Sequence, residues 1–169
     1  MPLAGQKVRA SDIVRLQVIS KSATESVNNA GSGTTLQNDD ELTTAALEVG
    51  KSYRIMVHLD VTGAAAADIK GAWSWTGTAT KTSRQVMGPQ VGTADATVTS
   101  MRAAGHGLAS AISYGVDGSA ASYAFELVRL EEITVAGTLT YQWAQQSGSA
   151  TNTVMGVRAS MEWIEIDLN

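Results

Sequence analysis

From Tyr53 the chain reads Tyr53-Arg54-Ile55-Met56-Val57-His58-Leu59-Asp60-Val61. Tyr53, Ile55, Val57, Leu59 and Val61 share one face only if successive side chains alternate across an extended strand. A helix would scatter these residues around its axis. Gly50-Lys51 before the run and Thr62-Gly63 after it are turn signals. A strand with one apolar face must bury that face against a second layer, so this run commits the chain to a layered β architecture.

The same period recurs. Leu139, Tyr141 and Trp143 alternate with Thr138, Thr140 and Gln142 just after Gly137. Val157, Ala159, Met161 and Trp163 alternate with Arg158, Ser160 and Glu162, and the pattern then slips to Ile164, Ile166 and Leu168. A bulge near Trp163-Ile164 accounts for such a slip. Tyr123, Phe125 and Leu127 mark another strand running toward Ile133. Further strands are expected over Ile69 to Trp75, Thr97 to Met101, Ala109 to Val116 and Glu41 to Leu47. Helical signals are thin: Ala64 to Ala67 is too short to nucleate a helix, and Ser11 to Leu16 offers one capped turn at most. Asn28 to Thr34 reads as a hairpin or long turn, and Gly77 to Gly92 as a long polar loop. About eight to ten short strands with regular turn signals predict an all-β fold, an antiparallel sandwich or jelly roll. Residues 1–16 lack any strong period and read as an N-terminal arm, with the sandwich spanning residues 17–169.

Composition narrows the function classes. Net charge is −4, and the 12 Lys and Arg are scattered without a basic run, which argues against nucleic acid as a partner. No stretch approaches the length of apolar residues that spans a bilayer, so no membrane insertion is expected. The N-terminus lacks the basic-then-apolar order of a secretory signal, so synthesis in a cytoplasm is expected. Cysteine is absent, which rules out disulfides and thiolate metal sites.

Catalysis needs a base, a nucleophile or a metal gathered in a pocket. The chain has only two histidines. His58 falls on the polar face of the clearest strand, and His106 sits between Gly105 and Gly107. Neither forms a zinc pattern, and no hydrolase or phosphate-loop motif occurs. Asp39-Asp40-Glu41 reads as a solvated acidic turn rather than a calcium loop. Glu131-Glu132 reads as a hydrated strand end, and Glu162, Glu165 and Asp167 as outward charges that blunt a sheet edge. A glycan hydrolase would need two facing carboxylates; Asp60, Asp68 and Asp95 are the residues to consider, but no motif pairs them. Neither a metal nor a cofactor is expected. Trp73, Trp75 and Trp143 all fall in expected strands, where they would serve the core, a subunit interface or a sugar-stacking platform.

Three segments carry a resemblance. Leu3-Ala4-Gly5-Gln6-Lys7-Val8-Arg9-Ala10-Ser11-Asp12-Ile13 resembles N-terminal segments of small virion proteins from tailed phages, especially those of actinobacterial hosts. Glu25 to Asn29, Thr34 to Leu42, the Tyr53 strand and Ala67 to Lys70 form the second segment. Gly137 to Gln146 with Ala150-Thr151 forms the third. The second and third resemble a jelly-roll-like module of phage tail, fibre and head-decoration proteins. The resemblance implies an antiparallel jelly roll, assembly as a homotrimer and no catalytic residues. It implies a protein of the virion surface that docks on the major capsid protein or another virion protein. Val8, Arg9, Asp12, Ile13 and Leu16 would make that contact. A capsid decoration or head-fibre protein is the leading expectation. A tail fibre or baseplate module touching host glycans is the alternative, with specificity expected in the Gly77 to Gly92 segment, which the resemblance does not cover.

Overall fold

A computed structural model describes residues 16–27, 33–92, 99–102 and 105–167. The described strands are β1 (Gln17–Ser20), β2 (Glu25–Val27), β3 (Gln37–Thr43), β4 (Ser52–Thr62), β5 (Ile69–Trp75) and β6 (Thr78–Pro89). They continue with β7 (Thr99–Arg102), β8 (Ile112–Tyr114), β9 (Ser122–Val135), β10 (Leu139–Gln145), β11 (Thr153–Met155) and β12 (Ser160–Ile166). No helix occurs among the described residues.

The strands form two antiparallel sheets packed as a sandwich. The larger runs β1-β12-β4-β9-β6-β7, with β11 beside β4 and β2 beside β11; the smaller runs β3-β10-β5-β8. The connectivity has a simple rule once the short β2 and β11 and the inserted β6–β7 hairpin are set aside. Strands from the first half pair with their mirror strands from the second: β1 with β12, β3 with β10, β4 with β9 and β5 with β8. Successive pairs go alternately to the two sheets, which is the jelly roll expected from the alternation. The hairpin between β5 and β8 returns to the large sheet and extends it past β9.

The core is the interior of this sandwich. Ile55, Val57 and Leu59 from β4, Val128 and Leu130 from β9, and Met161 from β12 come from the large sheet; Trp73, Leu139, Tyr141 and Trp143 oppose them from the small one. Trp73 meets Tyr141 edge to face with centroids 5.1 Å apart, a geometry that suits the ring quadrupoles.

Several sequence expectations are corrected. Gly77 to Gly92 is mostly strand, not loop: β6 is a long polar strand pairing with β9 from Thr78 to Met87. Thr-rich sequence is good strand material, but Arg84 stands at an inward position and breaks the apolar alternation. In β9 the aromatic face is outward; Tyr123 and Phe125 are exposed, while Ala124, Glu126, Val128 and Leu130 point in. The slip at Trp163-Ile164 is not a bulge, because β12 pairs with β4 without a register break from Ser160 to Ile166. Ile164 and Ile166 are half-buried on its outward face, and Glu165 falls on the inward side at the strand end, where it pairs with Lys51. Nor is β12 a sheet edge, since β1 and β4 flank it. Glu131 and Glu132 lie within β9, not at its end. The strand expected over Glu41 to Leu47 stops at Thr43, with Leu47 making a lone bridge to Gly137. Ala64 to Ala67 is a turn closed by the Ala67 N–H on the Ala64 carbonyl.

Close packing across the sandwich sets one test. A methyl group on Gly71 would overlap the Tyr141 hydroxyl in the core, whereas one on Gly105 would meet no heavy atom within 4 Å. Gly71→Ala should therefore lose about 1–3 kcal/mol or more in urea unfolding, and Gly105→Ala should stay within about 0.5 kcal/mol of the parent.

Candidate functional site

The most highly ordered chemistry lies inside the sandwich. Arg84 of β6 and Glu126 of β9 are 0% and 1% exposed. They form a two-pronged pair, with Arg84 Nε 2.7 Å from Glu126 Oε2 and Nη2 2.8 Å from Oε1. From the opposite sheet, Trp73 Nε1 donates to Oε2 at 2.6 Å, and the hydroxyls of Tyr114 and Tyr141 donate to Oε1 at 2.6 and 3.1 Å. The rest of the guanidinium donates to the carbonyls of Gly71, Leu108 and Ser110. Every acceptor lobe of Glu126 and every face of the Arg84 fork is occupied, which is what a buried pair needs to offset its desolvation.

Electrostatics follow from this packing. Burial pushes the Tyr114 hydroxyl far up, and the adjacent Glu126 carboxylate adds to it. Tyr141 is raised well above the usual phenol range for the same two reasons, in the same order. Burial works against the Arg84 charge, but its bonds to Glu126 outweigh that and hold the guanidinium above its usual range. With its donors and acceptors engaged and buried between the sheets, the cluster acts as a clamp. Sequence reading missed it because the Tyr123-Phe125-Leu127 phase of β9 is the more apolar one. The signal was there in the other phase, where Glu126 interrupts Ala124, Val128 and Leu130.

A second buried cluster joins the sheet edges. Lys21, just after β1, and Asp39 of β3 have fully buried side chains, with Lys21 Nζ 2.8 and 2.9 Å from the two Asp39 oxygens. Glu25 Oε2 lies 2.7 Å from the same nitrogen. The Asp39-Asp40-Glu41 turn expected to be solvated is thus part of a strand, and Asp39 is 1% exposed. The register of β3 against β10 breaks between Thr140 and Gln142, and Asp39 Oδ1 accepts the Glu41 and Leu42 amides freed there. Burial opposes the charge on Lys21, but Asp39 and Glu25 outweigh it and raise the amine above its usual range. Burial likewise works to raise Asp39, yet hydrogen bonds to Glu25, Lys21 and the two amides leave it below the usual carboxylate range. Glu25 is raised, by burial first and then by Asp39.

The outward face of the large sheet is the third feature. Met56, Met87, Tyr123 and Phe125 are 36–40% exposed there, and Leu127 is half-buried. His58 stacks on Phe125 at 4.5 Å and on Tyr123 at 5.5 Å, and Arg158 donates to the Tyr123 hydroxyl. Met56, Gln85, Met87, Phe125 and Leu127 line a shallow groove across β4, β9 and β6.

The remaining sequence candidates disperse. Trp73 and Trp143 are 1% and 2% exposed in the core, and Trp75 packs partly buried against it. The exposed rings are Tyr123 and Phe125 instead. Asp68 is buried and accepts the Gly92 and Val116 amides; Asp60 is 8% exposed; Asp95 lies outside the described residues. His106 donates its backbone N–H to the Arg84 carbonyl. Of the docking residues, Val8, Arg9, Asp12 and Ile13 lie outside the described residues, and Leu16 is 52% exposed ahead of β1. Among the described residues no group of three or more His, Asp or Glu is placed to hold a metal ion, and no helix is long and apolar enough to cross a membrane.

The clamp generates two tests. Arg84→Ala strands a buried carboxylate and should cost about 3–5 kcal/mol, and replacing both partners together by Met and Leu should not recover that loss, because the buried donors of Trp73, Tyr114 and Tyr141 then lose their acceptor; chemical denaturation of the three proteins measures the difference. The tyrosines set an alkaline limit. Folding raises both hydroxyls above their ordinary value of 10.0, so their contribution is intact below about pH 10 and lost progressively above it. The thermal midpoint should fall above that pH, and less steeply in a Tyr114→Phe/Tyr141→Phe variant.

No family model matches the chain. No curated protein matches it. Among solved structures, "Structure of infectious bursal disease virus Gt strain" aligns with 98% of this chain at 10% identity and a TM-score of 0.24. The chain spans 45% of that structure's chain. A superposition that loose carries no argument about fold or function.

Proposed function

We propose that this chain is a non-catalytic structural subunit of a virion, a jelly roll that assembles with copies of itself on the particle surface. The observation that carries the reading is the apolar stripe of Met56, Met87, Phe125 and Leu127 on the outward face of the large sheet. Sheet faces turned to water are ordinarily polar, and contiguous apolar surface rimmed by polar residues marks an interaction site. The chain's two best-built charged pairs, Arg84–Glu126 and Lys21–Asp39, have fully buried side chains and tie strand to strand, so they support structure. Jelly rolls are a recurrent architecture of viral capsid and lectin domains.

In this reading the protein is a capsid decoration or head-fibre protein. Residues 1–16 dock on the major capsid protein or another virion protein, and three copies associate through the outward face of the large sheet. A tail fibre or baseplate module is the second reading, favoured by the exposed rings of Tyr123 and Phe125 beside Arg158. Aromatic faces flanked by hydrogen-bonding groups suit host glycans.

Sedimentation at micromolar concentration should give the mass of a trimer, and Phe125→Glu should give a monomer with an unchanged circular dichroism spectrum. A monomeric parent chain would sink assembly through this face. Gold-labelled antibody on intact particles separates the two locations: label over the heads supports decoration, and label at the tail tip supports host contact.

A further inference from the structure

The Lys21–Asp39–Glu25 cluster has more than the geometry of an ion pair. We propose that it is the site of a self-catalysed isopeptide bond between Lys21 Nζ and Asp39 Cγ, which covalently joins the large sheet to the small one.

The parts of an acyl-transfer centre are all present. The nucleophile is the Lys21 amine, whose Nζ already touches both oxygens of the Asp39 carboxyl at 2.8 and 2.9 Å. Both side chains are 0% exposed, so water does not compete for the carboxyl and the partners are held together as one intramolecular pair. The oxygen that gains charge in the addition step has donors waiting. Asp39 Oδ1 accepts the backbone N–H groups of Glu41 at 3.0 Å and Leu42 at 2.9 Å, and preorganised amides of this kind stabilise a tetrahedral oxyanion. Glu25 supplies the acid–base group. Its Oε2 is 2.7 Å from Nζ, and the Asp40 N–H at 3.3 Å helps to hold it there. Burial and the neighbouring Asp39 raise the Glu25 carboxyl, which lets it carry a proton and return it.

The balance closes without any co-reactant. Nζ starts as an ammonium and Asp39 as a carboxylate. A proton passes from Nζ to Oδ2, the uphill step because the resting pair holds the amine above and the carboxyl below their usual ranges; rotation about the Lys21 Cδ–Cε bond then brings the freed lone pair over Cγ while Oδ1 keeps its two amide donors. The Nζ–Cγ bond forms while Oδ1 takes up negative charge in the amide pocket. Glu25 relays a second proton from Nζ to Oδ2, the Cγ–Oδ2 bond breaks, and Oδ2 leaves as water. Glu25 ends in the state in which it began. One positive and one negative charge vanish together, so the net charge of the chain is unchanged. Nothing is oxidised or reduced.

The position gives the bond a mechanical consequence. β1 and β3 are edge strands of opposite sheets, and Lys21 continues the β1 ladder by donating its N–H to the Ala159 carbonyl. A pull applied at the N-terminal side of β1 would peel it from β12 and then reach a covalent stop at Lys21.

The test is the intact mass of the purified full-length chain, followed by protease digestion and tandem mass spectrometry. The folded parent protein should be lighter than its sequence by one water, and a branched peptide should join Lys21 to Asp39. Lys21→Arg keeps the cation and cannot form the amide, so it should fold and carry its full mass. Glu25→Gln should fold, with the cross-link lost or formed at least tenfold more slowly. A folded parent chain of full mass would overturn the proposal and leave a buried ion pair. So would a water loss that maps elsewhere or persists in Lys21→Arg. Cross-linking at an undiminished rate in Glu25→Gln would overturn the role given to Glu25.

Discussion

The buried Arg84–Glu126 pair is the constraint around which the sandwich is arranged. A carboxylate and a guanidinium removed from water cost several kcal/mol each unless every lone pair and proton is matched. Here the matching groups come from both layers: Trp73, Tyr114 and Tyr141 reach across from the small sheet, and carbonyls of β5 and the segment before β8 close around the guanidinium. Apolar contacts alone tolerate sliding of one sheet over another, because dispersion and hydrophobic burial are not directional. The five hydrogen bonds on Glu126 do not tolerate it. The pair therefore fixes the relative placement of the sheets.

That same pair explains why the β6–β7 hairpin belongs to the large sheet. β6 brings only one large charged side chain to the interior, and Glu126 stands beside it on β9. Once β6 is docked, the large sheet is wider than the small one, and its outward face carries Met87 and Phe125 next to Met56 and Leu127. The insertion thus adds Met87 to the stripe that Met56, Phe125 and Leu127 form on β4 and β9. A second charged cluster, around Lys21 and Asp39, acts at the opposite margin and links β1 to β3. The sandwich is held by a polar clamp within and a polar tie at its edge, with apolar packing between.

Much of the fold was legible in the chain. The strands at Tyr53, Leu139 and Ser160 advertise themselves because apolar residues recur at every second position through most of each, and period-two burial has no other solution. The elements misread are those in which a polar residue goes inside. Arg84 made β6 look like a loop, Glu126 hid the inward phase of β9, and Asp39 made β3 look like a turn. In each case the side chain is buried because a partner far along the chain is buried with it. Trp73, Trp75 and Trp143 were legible as strand residues, but whether a ring faces a core or a ligand depends on which strand lies opposite.

By itself, then, the sequence determined the class of architecture, an antiparallel β-sandwich without cysteine chemistry, since alternation and residue type are local properties. Tertiary structure alone decided the pairing of Arg84 with Glu126 across 42 residues and of Lys21 with Asp39 across 18. It also decided that the aromatic face of β9 turns to solvent. Desolvation of a charge is repaid only by specific partners at hydrogen-bond distance, and those distances exist only after the sheets have closed.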